Sequence, residues 1–301
     1  MDVCQACDDF LAYCRQEKHL SPNTLAAYQQ DLTEFQRFGG ITQIDDITGE
    51  HLVAYVSHLT NVRRLASASI KRRLACLRST CGWLVRKKAL MVSPFTEVQI
   101  QVRIPTRLPR CLSRRDVAAL LSAADGTNTT TRLALHLLLT TGIRVGELVR
   151  IRASDVDTQQ QTVRILGKGN RERQVFLPCK ELATAVQSHI SACRASASHD
   201  HLIQNSRGRP ASTASIRRRV RALAETAGLS RKVTPHMLRH TAATSLLEAG
   251  VDIRLVQRLL GHHSISTTQI YTHVSDAMLK AAVVNANVFG RTAAGWLPEA
   301  A

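Results

Sequence analysis

Four short segments in the second half of the chain carry basic or nucleophilic side chains at spacings that packing alone does not ask for. In Thr141-Gly142-Ile143-Arg144-Val145-Gly146-Glu147-Leu148, Arg144 follows a turn, and Glu147 three residues later shares its helical face and can hold the guanidinium. Taken alone, such a pair is equally an ordinary surface ion pair. Lys168 stands in Gly167-Lys168-Gly169-Asn170, where a long ammonium can reach a phosphate or protonate a leaving oxygen. Thr234 caps and Pro235 opens a helix in which His236, Arg239 and His240 fall on one face, at a terminus whose dipole favours anions. In Leu259-Leu260-Gly261-His262-His263-Ser264-Ile265-Ser266-Thr267-Thr268-Gln269-Ile270-Tyr271, Gly261 closes one helix and Ser266 with Gln269 makes a capping box for the next. Tyr271 lies in its first turns and is the only tyrosine after Tyr55.

Two arginines, one lysine, two or three histidines and a tyrosine are the inventory for attack on a phosphodiester without a metal. The tyrosine supplies an oxygen nucleophile, the arginines neutralise a pentacoordinate transition state through bidentate contacts, and lysine or histidine moves protons. The adjacent His262 and His263 lack a His-Glu zinc pattern, and no carboxylate cluster suits a two-metal site. No metal and no cofactor are expected.

These residues need a scaffold, and the hydrophobic periodicity describes one. Val163 and Ile165, then Val175 and Leu177, alternate on either side of Lys168, which predicts a hairpin over 162–178 with the lysine in its turn. Ser113 with Asp116 predicts a capped helix, and Leu133, Leu137 and Leu138 mark another that ends at Thr141-Gly142. The stretch 188–201, rich in Ser, Ala and His, shows little pattern, after which helices resume. In the first ninety residues, Ser21-Pro22 opens a helix carrying Leu25, Tyr28, Leu32 and Phe35, a second is predicted over 48–59, and a strongly basic third over 66–87. Pro94, Pro105 and Pro109 break the pattern between them and the second half. The expected fold class is mainly α with a small β component. It has a helical bundle over 1–92, a basic, proline-containing linker over 93–112, an α+β domain over 113–289 and a tail over 290–301.

At 301 residues, 44% of them hydrophobic and 21% charged, the chain is long and apolar enough for two folded domains. Its 40 Lys and Arg against 23 Asp and Glu give a formal charge of +17, which points to a polyanionic partner, most simply nucleic acid. The cations cluster. Between Asn61 and Lys88 there are nine and no carboxylate, and between Arg207 and Arg221 six arginines, again with no carboxylate. Arg63, Arg64, Lys71, Arg72 and Arg73 in the first cluster, with Arg217, Arg218 and Arg219 in the second, are the candidate DNA-binding residues. No apolar run reaches the roughly 18 residues of a membrane span, and Met1-Asp2-Val3-Cys4 does not begin a signal peptide, so a cytoplasmic protein is expected. Its eight cysteines are then expected as thiols, and Cys4-x-x-Cys7 lacks the second pair a zinc site needs.

The order Arg144, Lys168, His236-x-x-Arg239, His262, Tyr271 resembles the signature of the tyrosine recombinases, the phage integrase family. Leu20-Ser21-Pro22-Asn23-Thr24, Leu108-Pro109-Arg110-Cys111-Leu112-Ser113 and Ser266-Thr267-Thr268-Gln269-Ile270-Tyr271-Thr272-His273-Val274 are most similar to the bacterial Xer type, and the likeness runs from about residue 10 to 280. The resemblance implies a SAM-like, core-binding helical domain at 1–92 and a catalytic domain at 113–289 that close around double-stranded DNA carrying a specific core site. It implies that Arg144 and Arg239 hold the scissile phosphate, that Lys168 protonates the departing 5′ oxygen, and that His236 acts as acid and base. His262, chosen over His263 because it directly follows Gly261, supports the phosphate, Tyr271 forms a 3′-phosphotyrosyl link, and Glu147 fills the family's supporting acidic position. It further implies rejoining without ATP and strand exchange through a Holliday junction, by a homotetramer on two sites or a heterotetramer with a second recombinase, with or without accessory proteins. The biological role implied is Xer-like resolution of dimers or cointegrates, with integration of a mobile element as the alternative and an inactive DNA-binding regulator as a remote one. A type IB topoisomerase, which shares the tyrosine chemistry, fits the 266–274 pattern and the helical first domain less well. An apolar helix candidate over 278–288 would dock on a neighbouring protomer, while 290–301 follows no familiar pattern.

Overall fold

The computed structural model describes residues 1–104, 110–167, 172–196 and 199–261, which divide into two units, Met1–Arg107 and Leu108–Ala301.

The first unit is helical. Helix α1 (Val3–Gln16) is capped by Asp2, whose carboxylate accepts from the amides of Cys4 and Gln5, and it buries Val3, Ala6, Cys7, Phe10, Leu11 and Cys14. In the sequence this stretch stands out only by its Cys4-x-x-Cys7 spacing. In the fold that spacing is part of a helical stripe, with Cys4 outside and Cys7 inside, where burial pushes its thiol up to about 11. Helix α2 (Pro22–Arg37) starts as expected, with Ser21 accepting from the Thr24 amide and Pro22 in its first turn. Helix α3 (Gly49–Ser57) runs into a wider π-helical turn at His58–Val62, and α4 (Ser67–Arg86) follows. Phe10, Leu52, Tyr55, Leu59, Leu77 and Leu84 fill the core. The expected linker is shorter than 93–112. Pro94–Thr96 forms a 3-10 turn, and Val98, Ile100 and Val102 pack on the first core, while Leu112 belongs to the second unit's core and donates its amide to Thr241 Oγ1 at 2.9 Å. Apolar side chains at alternate positions gain more by covering an existing core than by standing in solvent.

In the second unit α5 (Arg114–Asp125) begins at the expected Ser113–Asp116 capping box, and α6 (Thr129–Thr141) buries Leu133, Leu135, Leu137 and Leu138. Helix α6 ends at Gly142, whose φ of +62° is left-handed. A single turn, α7 (Val145–Leu148), leads into an antiparallel sheet of β1 (Val156–Asp157), β2 (Thr162–Leu166) and β3 (Glu172–Phe176). Val163 opposes Val175 and Ile165 opposes Arg173, so the predicted hairpin forms in a register that turns its apolar residues to the core. Helix α8 (Lys180–Ser196) extends through most of the stretch that reads as patternless. Leu182, Ala183, Val186 and Ile190 form its buried stripe, and the buried His189 completes it by pairing with the Leu202 carbonyl at 3.0 Å. Helices α9 (Thr213–Thr226), α10 (Pro235–Glu248) and α11 (Ile253–Leu260) follow. Ala243, Leu247, Val256 and Leu260 make a small separate core between α10 and α11. No helix among the described residues is long and apolar enough to cross a membrane.

Candidate functional site

Elements far apart in sequence bring their arginines together at the carboxyl end of α11. Helix carboxyl termini leave carbonyls without intrahelical partners, and here three successive ones each accept from a different arginine. Arg173 Nε donates to Leu259 O at 2.8 Å, Arg239 Nη2 to Leu260 O at 2.7 Å and Arg144 Nη2 to Gly261 O at 3.4 Å. Arg239 also donates through Nη1 to Gly142 O at 2.6 Å, so one buried guanidinium joins the ends of α6 and α11. Both ends turn at left-handed glycines that the approach requires. A Cβ on Gly142 would lie 2.6 Å from Leu260 Cδ2, and one on Gly261, whose φ is +66°, would lie 3.2 Å from the Arg173 side chain.

Glu147 is the anionic centre of the cluster and is itself buried. Its Oε1 accepts from Arg144 Nη1 and Arg173 Nη1, each at 3.0 Å, and its Oε2 accepts from Arg173 Nη2 at 2.7 Å and the Arg144 amide at 2.8 Å. Burial by itself would raise this carboxyl's pKa, but the Arg173 hydrogen bonds, the Arg144 amide and the two positive charges outweigh it and hold Glu147 below the usual carboxylate range. The expected Arg144–Glu147 pair is therefore real but incomplete. The third partner, Arg173, is missing from the sequence reading because it lies in the charged run Arg171-Glu172-Arg173, which reads as solvated hairpin. Its phase is the available signal, since Arg173 has the parity of Val175 and Leu177 and so points to the apolar face. The three guanidiniums differ in access. The side chain of Arg144 is 41% exposed, that of Arg173 12%, and Arg239 is buried.

His236 opens onto the same cluster from the first turn of α10, which Thr234 caps by accepting from the Met237 amide at 3.3 Å. His236 is exposed at the surface, and partial burial of its ring, then the charges of Arg239, Arg217 and Arg144, hold its imidazole below the usual range. The cations beside it favour the uncharged ring. His240, one turn on, is lowered likewise by burial, then by His236 and Arg239. Lys168, His262 and Tyr271 lie outside the described residues, although Lys168 falls between the paired strands β2 and β3 and His262 directly follows Gly261.

The candidate DNA-binding residues fall into two groups. Arg64, Lys71, Arg217 and Arg218 are exposed, and Arg63 is exposed while paired with Glu34 at 3.2 Å. Arg72 grips Asp31 with both terminal nitrogens, and Arg73 is buried against Glu34 with Asp31 behind it, so these two cations tie α4 to α2. Arg219 is half-buried and donates to Gln204 O at 3.3 Å. The expectation of an outward cation therefore does not hold for Arg73, because the buried carboxylate of Asp31 requires compensating charge inside the fold. Among the described residues no cluster of three or more metal-ligating side chains occurs.

Comparison with known proteins gives this arrangement a family. Residues 110–278 match the model of the phage integrase family, and residues 7–88 match the phage integrase N-terminal SAM-like domain. The chain is 38% identical to tyrosine recombinase XerD of Halalkalibacterium halodurans over 283 residues, 90% of this chain and 93% of that protein. It is 37% identical to tyrosine recombinase XerC of Listeria welshimeri over 284 residues, with the same coverage. Among solved structures it resembles the XerA recombinase, with a TM-score of 0.54 and 30% identity over 94% of this chain and 98% of that one. The Tn1549 transposon integrase in complex with transposon right end DNA shares the fold, with a TM-score of 0.77 at 20% identity over 95% of this chain and 99% of that one. With both halves matched and the arginine cluster standing where the catalytic half is matched, the chain belongs to the phage integrase family and is a Xer-type tyrosine recombinase, an enzyme that cuts and rejoins DNA.

Proposed function

We propose that this recombinase attacks a specific core site with Tyr271 and resolves DNA multimers or cointegrates, as its Xer-type likeness suggests. The observation that carries the reading is the convergence of Arg144, Arg239 and His236 at the end of α11, directly before His262. Arg144 and Arg239 hold the scissile phosphate through charge-assisted hydrogen bonds, and His262 supports it. His236, kept neutral by its surroundings, takes the phenolic proton as the Tyr271 oxygen bonds to phosphorus. The bond from phosphorus to the 5′ oxygen breaks, and Lys168 gives that oxygen a proton. The phosphotyrosyl ester keeps the energy of the broken bond, so the reverse attack by a 5′ hydroxyl rejoins the strand without ATP.

The partner is duplex DNA, and Arg64, Lys71, Arg217 and Arg218, which are exposed, neutralise its backbone. Relatives of the same fold were solved as a lambda integrase dimer on a core site, a lambda integrase tetramer on a Holliday junction and XerH on its difH substrate. Four protomers on two sites are the corresponding assembly for this chain, all of one kind or shared with a second recombinase. Integration of a mobile element uses the same chemistry, and the likeness to the Tn1549 integrase extends to the fold alone.

The test is a nicked suicide substrate bearing the cognate site, found among sequences flanking the gene, with covalent adduct read on a denaturing gel. Wild type is expected to form the adduct, and Tyr271→Phe to bind the DNA without forming it. Adduct retained by Tyr271→Phe would remove Tyr271 as the nucleophile. Resolution is distinguished from integration by offering plasmids with two directly repeated sites against separate donor and target plasmids, and recombination only between separate plasmids would overturn the resolution role.

A further inference from the structure

Arg173 has no role in the reading above, which assigns the phosphate to Arg144 and Arg239. Its three nitrogens are all committed within the protein, two to Glu147 and one to Leu259 O, and its side chain is nearly closed to solvent. It therefore differs from Arg144, whose remaining contact is the long bond to Gly261 O. We propose that Arg173 is a positioning residue for the cleavage step, which lets Glu147 orient Arg144 without cancelling its charge and fastens the hairpin that bears Lys168 to the end of α11. The proposal rests on the tyrosine recombinase reading of this site.

A carboxylate paired with Arg144 alone would orient the guanidinium but leave the pair neutral, which weakens its pull on a phosphate. With Arg173 on the same carboxylate, two cations share one anion, and the trio keeps a single positive charge while Arg144 stays fixed at 3.0 Å from Glu147 Oε1. Arg173 also acts mechanically, through its strand. Arg173 opposes Ile165 in β3, two residues from the turn segment that carries Lys168, and its Nε bond to Leu259 O is three residues before His262. One side chain thus joins three segments that the reaction needs in register: the hairpin, the Arg144 turn and the end of α11. Lysine at 173 would keep the charge but lose the planar fork that makes two bonds to Glu147 and a third to the helix end.

The experiment compares wild type, Arg173→Lys, Arg173→Gln and Arg173→Gln/Glu147→Gln for single-turnover adduct formation on the suicide substrate, with DNA affinity and thermal unfolding measured on the same samples. Arg173→Gln is expected to slow adduct formation by about tenfold or more while affinity changes by less than about threefold. Arg173→Lys should recover part of that loss. The double variant restores the net charge of the cluster, so it should cleave faster than Arg173→Gln at equal thermal stability, whereas a purely structural role would restore cleavage only in step with the unfolding temperature. If Arg173→Gln cleaves within about threefold of wild type, or if the double variant is slower than the single one, the proposal is overturned. Absence of adduct from wild type bound to its cognate site would instead overturn the reading on which it rests, and the proposal with it. If Arg173→Gln proves unfolded, the comparison of Arg173→Lys with wild type decides, and equal cleavage rates would overturn the role of the fork.

Discussion

The two arginines assigned to one phosphate are built differently. Arg144 is half-open and braced by Glu147, whereas Arg239 is buried, with its terminal nitrogens on the carbonyls that end α6 and α11. Arg239 is therefore a structural tie as well as a candidate phosphate ligand. Arg239→Lys keeps one cation but cannot reach both carbonyls, and leaving one buried acceptor unpaired costs about 1–3 kcal/mol. The expected outcome is a lower urea midpoint with an unchanged denaturant slope, together with lost cleavage. An unchanged midpoint would mean that these carbonyls find other partners. Arg144→Lys, at a half-open position and with Arg173 still paired to Glu147, should lose cleavage at a smaller cost in stability than Arg239→Lys, which separates the two roles.

At the scale of elements, the site depends on where α6 and α11 stop. Both end at glycines with left-handed φ, and the two ends are close enough that a methyl group on Gly142 would meet Leu260 Cδ2 at 2.6 Å and Ala242 Cβ at 3.4 Å. Gly142→Ala pays twice, in backbone strain and in the displacement of Leu260 from the small core it shares with Val256 and Leu247. A loss of about 2–4 kcal/mol is expected from chemical denaturation, and because Leu260 O and Gly261 O hold Arg239 and Arg144, cleavage should fall with it. Wild-type stability in that variant would show that the α6 end is not pinned by α11. The hairpin is the other decisive element, because its register sets Arg173 on the inner face beside Val175.

For the whole molecule, two consequences follow from charge. A protein with a formal charge of +17 and exposed cations on both units should bind DNA with a strong salt dependence, a slope of log affinity against log salt of about −5 or steeper. A nearly flat slope in a filter or anisotropy titration would argue against the backbone role of Arg64, Lys71, Arg217 and Arg218. The histidines govern acid behaviour. His51, His136, His189, His201, His236 and His240 are each held below the usual 6.5, with burial the largest cause. The unfolded chain takes up protons near pH 6.5 and the folded one only at lower pH. The stability these neutral rings contribute is thus present above about 6.5 and lost as pH falls through their folded values. Glu147 and Asp116, held low by their arginine and backbone partners, extend the loss to more acid conditions. Tm is expected to drop by several degrees between about pH 7.5 and 5.5, and a flat or rising Tm over that range in calorimetry would contradict it.

Much of this protein is legible without a structure because the relevant signals are local. Caps at Ser21, Ser113 and Thr234, alternation on both sides of Lys168 and the glycines at 142 and 261 fix helix starts, the hairpin and two helix ends from interactions a few residues in range. The spacing of Arg144, His236, Arg239 and Tyr271 names a chemistry because side-chain types alone limit what can attack and stabilise a phosphodiester. Helices α1 and α8 escape that reading. Cysteine, alanine and histidine supply much of their buried stripes, and residues of mixed polarity mark a face only once something packs on it. The direction of each charge is likewise a tertiary matter. Arg72 and Arg73 lie in the same basic run as Lys71, yet they turn to Asp31 and Glu34 on another helix, and Arg173 turns to Glu147 across 26 positions. A cation's partner is chosen by distance and burial in the folded chain, so the sequence by itself determined which groups were available for catalysis, and only the tertiary structure decided which of them face outward and which hold the others in place.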